Sequence, residues 1–171
     1  MRKNKKRNHQ KHPVPNHKYK DRLFRLVFNN KKDLLDLYNA LNNTCYENPN
    51  DLEVNTLEDA VYLSMKNDIS FLIGGTLNLY EHQSTYNPNM PLRGLIYLAR
   101  LYDGYVETKN INLYSSSLKK LPIPQYFVFY NGTKEQPDET ILQLMDAFES
   151  VSDNRQPCLQ CTAVMLNINY G

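Results

Sequence analysis

With 171 residues, 41% of them hydrophobic and 11% aromatic, the chain has enough apolar material for one domain with a real core. Its three cysteines are too few for a disulfide framework, and no apolar run approaches the ~20 residues of a membrane span. A basic N-terminus without an apolar stretch after it gives no secretory signal, so a reducing, cytoplasmic setting is expected.

The net charge of +2 hides an asymmetry. Residues 1–22 hold nine Lys/Arg and one acid, a net of +8, and the remainder carries −6. Residues 1–18 lack an apolar pattern and contain Pro13 and Pro15, so a disordered basic arm is predicted there, with one domain over 19–171. Lys3, Lys5, Lys6 and Arg7 in this arm are either DNA phosphate contacts, where Lys/Arg displace condensed counterions, or part of a solubilising tail. His9, His12 and His17 have no metal-ligand spacing.

Leu23 to Phe28 reads as a short buried element. Asn29 or Asn30 can then cap a helix over Lys31–Asn42 whose buried stripe is Leu34, Leu35, Tyr38 and Leu41. Thr56–Lys66 is ambiguous, since LEDAVYLSM contains helix formers while Val61-Tyr62-Leu63 could join a sheet. Glu58 and Asp59 line a site only in the second case.

The next segment, NDISFLIGGTLNLYEHQST, joins two apolar-rich runs through Gly74-Gly75. Two glycines accept the positive φ values of a tight hairpin turn. With that turn, Ile73 pairs with Thr76, Leu72 with Leu77, and Asp68 lands opposite Glu81, β-carbons roughly 5 Å apart. Gln83 shares their face because the strand period is two, whereas His82 points the other way and is expected to pack or hydrogen-bond. Opposed carboxylates repel unless something positive lies between them, and Mg²⁺, which favours oxygen ligands, is the usual remedy. The bland alternative is a hairpin end whose acids face water.

Pro91 fits the first turn of a helix running to about Val106, with Leu92, Leu95, Ile96, Ala99 and Tyr102 apolar. Arg93, in that first turn, is a candidate phosphate contact or an arginine paired with a nearby acid. Gln125–Tyr130 reads as a central strand buried on both faces, ended by Asn131-Gly132. A helix at about Asp138–Glu149 and a strand over Leu159–Asn169 complete an α/β chain with a mixed sheet. Cys158 and Cys161 make only half a zinc site and read as small residues at a strand start. Ser84-Thr85 lacks a His/Asp partner set.

Asp, then a β-turn-β, then Glu-x-Gln is similar to the active-site hairpin of the PD-(D/E)XK nucleases, with Gln83 in the usual Lys position. KDRLFRLVF (20–28), LEDAVYLSMKNDISFLI (57–73), YEHQSTYNPNMPLRGLIYLARLY (80–102) and PQYFVFYNGTKEQPD (124–138) resemble the PD-(D/E)XK family transposases, the Rpn-like recombination-promoting nucleases of bacteria. The resemblance implies a restriction-endonuclease-like αβββαβ core and Mg²⁺- or Mn²⁺-dependent cleavage of DNA beside the nucleoid. Asp68, Glu81 and the backbone carbonyl of His82 would be metal ligands, Gln83 would orient water or phosphate, and Asp21 opens the first block. A homodimer would suit paired cuts. Family members continue with helical sequence beyond NINYG, so the domain is expected to be incomplete at its C-terminus. Two other classes stay open, a non-catalytic DNA-binding remnant and a structural zinc protein.

Overall fold

In the computed structural model, the described residues are 30–55, 68–149 and 156–169. The basic arm, Asp21, the Leu23–Phe28 element and the ambiguous Thr56–Lys66 stretch with Glu58 and Asp59 lie outside them.

Helix α1 spans Lys31–Asn42. The Asn30 side chain caps it by accepting from the Lys32 N–H, and Asp33 sits in the first turn, where the helix dipole favours an anion. Asn43 ends it in the left-handed region at φ 51°, a conformation Asn tolerates. Leu34, Leu35 and Tyr38 form the buried stripe. Strand β1 (Glu53–Asn55) leads to β2 (Ile69–Ile73) and β3 (Thr76–Gln83), followed by helix α2 (Met90–Thr108) and strand β4 (Ile123–Tyr130). Strands β5 (Glu139–Gln143) and β6 (Thr162–Asn167) close a six-stranded mixed sheet in the order β1-β2-β3-β4-β6-β5. The β3–β4 and β4–β6 pairs are parallel, and the other pairs are antiparallel.

The chain is therefore α/β, with a helix on each face of the sheet. Leu77 and Leu79 of β3, Tyr126, Val128 and Tyr130 of β4, and Ala163 and Met165 of β6 bury against α2. Tyr80, Phe71, Ile73 and Phe129 bury against α1 on the opposite face. Tyr80 meets Phe71, Phe127 and Phe129 edge-on, with ring centroids 5.1, 5.6 and 5.5 Å away, the geometry favoured by the ring quadrupoles. Strand β4 lies in the middle of the sheet and is buried over its second half, as its apolar run predicts. Among the described residues, no helix is long and apolar enough to cross a membrane.

One element differs in kind from the expectation. Asp138–Glu149 is not a helix; β5 runs antiparallel to β6 there, followed by a 3-10 turn at Leu144–Ala147. The segment holds good helix formers, but β6 needs a partner on its outer side, and β-branched Thr140-Ile141 supply the pleat. Leu142 and Leu144 then seal the α2 face. The last strand is also shorter than its expected Leu159–Asn169 range.

The β2–β3 turn is the one the glycines foretell. Gly74 and Gly75 have φ values of 54° and 82°, the pair of positive angles of a type I′ turn. A β-carbon on Gly74 would also strike the Tyr46 hydroxyl. Gly74→Ala is expected to cost about 1–2 kcal/mol, from the strained φ and the displaced tyrosine. Urea denaturation would check it; an unchanged midpoint would contradict the turn geometry.

Candidate functional site: a buried carboxylate at the open end of the hairpin

Register places the acids. Ile73 and Thr76 close the turn and Ile69 pairs with Tyr80; Asp68 and Glu81 are the next residues outward from that last pair, and continuing the register by one step would set them opposite each other. Counting from the closing pair, Asp68 and Glu81 fall at a non-hydrogen-bonded position, where Cα atoms approach to about 4.5 Å and side chains crowd. Burial first, and then neighbouring charges that include both Asp68 and Glu81, raise the Tyr97 phenol. The Tyr126 phenol is raised by the same kinds of cause.

Glu81 is 1% exposed, an unusual place for a carboxylate. Its oxygens are met from three elements. Gln83 Nε2 donates to Oε1 at 2.7 Å, and the Tyr126 hydroxyl donates to Oε2 at 2.6 Å. Arg93, reaching down from the first turn of α2, pairs its Nη2 with Oε1. Tyr126 stands on β4 opposite Leu79, one strand over and two residues back on the same face, which is why it meets Glu81 diagonally.

Burial pushes the Glu81 carboxyl above its ordinary range; the Tyr126 hydroxyl, the Arg93 charge and the Gln83 amide pull against that shift. For Arg93, burial disfavours the charge, yet Glu81 and Tyr97 more than offset it, and the guanidinium is held more firmly charged. A carboxyl raised on folding binds its proton more tightly in the native state. Its contribution is then complete below the unfolded-state value of 4.5 and is lost as pH rises through the raised one. Tyr126→Phe removes an opposing influence, so this loss should extend to higher pH. At neutral pH the variant should be less stable by about 1.5–3 kcal/mol, the worth of a hydrogen bond to a charged group. Denaturation midpoints of both proteins from pH 4 to about pH 8, the span over which a buried Glu titrates, would read this out; superimposable profiles would contradict it.

The structure also orients the backbone. Asn131 N–H donates to the Gln83 carbonyl at 3.0 Å, so odd-numbered carbonyls of β3 face β4. The His82 carbonyl therefore faces the β2 side. The His82 side chain is buried on the α1 face, as parity predicts. Glu81 and Gln83 lie at the carboxyl ends of the parallel β3–β4 pair, the customary location of sites in α/β sheets.

Two hard carboxylates and a carbonyl turned to the same side fit Mg²⁺ or Mn²⁺ in donor chemistry. Among the described residues there is no group of three or more His, Cys, Asp or Glu side chains placed to hold a metal ion. Among the described residues, a metal here would draw on Asp68, Glu81 and backbone. Cys158 is exposed and Cys161 buried at the start of β6; Cys45 is exposed. Lys3, Lys5, Lys6 and Arg7 lie outside the described residues, so the site as described contains Asp68, Glu81, Gln83, His82 and Arg93. Tyr126 is the member that sequence reasoning missed. It lies 45 residues from Glu81 in a strand whose apolar pattern reads only as core. No family model, curated protein or solved structure matches the chain.

Proposed function

We propose that the chain is a metal-dependent endonuclease that hydrolyses DNA phosphodiester bonds, a PD-(D/E)XK nuclease of the transposase-associated kind. The observation that carries this reading is the register of the hairpin, with Asp68 set against a fully buried Glu81 and Gln83 two residues on. The mixed sheet, with an antiparallel hairpin feeding a parallel strand through α2, is compatible with a restriction-endonuclease-like core. The DNA substrate rests on the sequence resemblance and on the basic arm.

Asp68, Glu81 and the His82 carbonyl would hold the ion. Bound there, Mg²⁺ supplies an acidified water and neutralises charge on the scissile phosphate. Gln83 gives its amide N–H to Glu81, which leaves the amide oxygen to accept from a water aimed at phosphorus. Gln83 cannot titrate, so the proton from water passes to solvent or to a phosphate oxygen. Arg93, paired with Glu81, would stabilise charge on the diester.

A specific observation favours a second reading. Glu81 is already satisfied by Arg93, Gln83 and Tyr126, an arrangement that also serves a purely structural buried ion pair. In that case the chain is a non-catalytic DNA-binding remnant. Incubating supercoiled plasmid with the protein separates the two. Nicking that requires Mg²⁺ supports the nuclease; salt-sensitive DNA retention without nicking, by folded protein, supports the remnant.

A further inference from the structure

Resting on that paired-carboxylate reading, we propose that Arg93 is an internal stand-in for the divalent cation. Its guanidinium competes with the metal for Glu81 and has to leave Oε1 when the metal binds.

Three features of the site lead there. A carboxylate oxygen offers two lone pairs, and those of Glu81 Oε1 are taken by Gln83 and by Arg93. Oε2 has already given one to Tyr126. A cation sharing Glu81 with Asp68 therefore either displaces a donor from Oε1 or takes the remaining lone pair of Oε2 on a carboxylate that already holds a guanidinium, and like charges at that spacing repel strongly.

Glu81 is also the chief anchor of Arg93. Its other contacts are Nη1 to the Met90 sulfur at 3.8 Å, Nη2 to the Tyr97 hydroxyl at 3.4 Å, and the Tyr97 ring at 5.9 Å. These are weak or long. Finally, the Arg93 side chain is 34% exposed while Glu81 is 1% exposed, so the arginine has a path to solvent and the carboxylate has none. Of the pair, Arg93 is the partner able to move.

The charges make the exchange productive. Two carboxylates and one divalent ion are neutral together, and a guanidinium released beside them restores a positive charge suited to one phosphodiester. Arg93 thus neutralises Glu81 without metal and becomes a phosphate contact with it. A lysine, as a compact ammonium without the planar fork, would not make the same exchange.

Isothermal titration of the folded protein with Mg²⁺, repeated with Mn²⁺, tests this without any activity measurement. A neighbouring charge changes a carboxylate's affinity for a proton by about 1–3 pK units, so Arg93→Met should bind either ion at least about tenfold more tightly than wild type. Methionine keeps the aliphatic packing on Met90 and Tyr97; Arg93→Ala is the second variant. In both, added Mg²⁺ should raise the melting temperature more than it does in wild type. Equal or weaker binding in the Arg93 variants, with binding still abolished by Asp68→Asn, would overturn the competition and leave the metal site standing. Absence of binding in wild type and variants alike would overturn the metal site itself, and this inference with it.

Discussion

Gly94→Ala is expected to destabilise the protein by about 2–4 kcal/mol, although alanine in a helix interior ordinarily gains up to about 1 kcal/mol over glycine. Gly94 lies inside α2 against the Tyr126 ring, and a β-carbon there would strike the ring at Cε1 and Cδ1. That ring is 3% exposed and tied by its hydroxyl to Glu81, so it has nowhere to go. Overpacking costs about 1–3 kcal/mol, and a displaced Tyr126 leaves a buried carboxylate oxygen short of its donor, at about 1.5–3 kcal/mol more. The clash outweighs the propensity gain. For a chain of this size the melting temperature should fall by roughly 5–15 °C. Gly104, on the same helix, is the internal control, because a β-carbon there meets nothing within 4 Å. Gly104→Ala should be neutral or stabilising by up to about 1 kcal/mol. Calorimetry on the two variants checks both statements, and a Gly94→Ala protein as stable as wild type would mean that α2 does not seat on Tyr126 as described.

Asp68→Asn is expected to abolish Mg²⁺-dependent nicking, by about 100-fold or more, while leaving stability within about 1 kcal/mol of wild type. Even residues that merely support a metal's ligands cost 10–100-fold in affinity when replaced, so loss of a ligand charge should reach at least about the top of that range. Stability is spared for a separate reason. Asparagine keeps the size and one carbonyl oxygen of the aspartate, so the change removes charge with little change in packing. Glu81→Gln would be a poorer probe, since Glu81 organises Arg93, Tyr126 and Gln83 and its change perturbs packing as well as charge. An Asp68→Asn protein that unfolds would assign Asp68 a structural role that the hairpin register does not predict.

What could be read from the sequence was local. Gly74-Gly75 dictate a type I′ turn, and the turn dictates the pairing, so the register from Ile73–Thr76 out to the Leu72–Leu77 pair and on to Ile69–Tyr80 was visible before any coordinates. Helix α1 was equally legible, with a polar cap, a 3.6-residue stripe and an Asn stop. Helix α2 showed through Pro91, but its buried face did not: Leu92, Ile96 and Ala99 of the expected apolar side are exposed, and Met90, Gly94, Tyr97, Leu98 and Leu101 turn to the sheet instead. Strand β4 showed through its unbroken apolar run. Strand β5 did not show, because its segment satisfies helix propensity and becomes a strand only to pair with β6, a non-local demand. The contacts around Glu81 divide in the same way. Gln83 was placed by strand parity, and Arg93 left two options, of which the structure displays the pairing with an acid. Tyr126 had no local signal, since nothing in QYFVFY distinguishes the tyrosine that reaches a carboxylate from one that fills core.

The central claim is that Asp68 and Glu81 form a metal-dependent phosphodiesterase centre. The most direct measurement is the nicking rate of supercoiled plasmid across a Mg²⁺ titration, for wild type and for Asp68→Asn at matched melting temperature. Wild type is expected to nick in a saturable, Mg²⁺-dependent way, and the variant not above background. Nicking of equal rate by both proteins, or none by a folded wild type at any Mg²⁺ concentration, would contradict it.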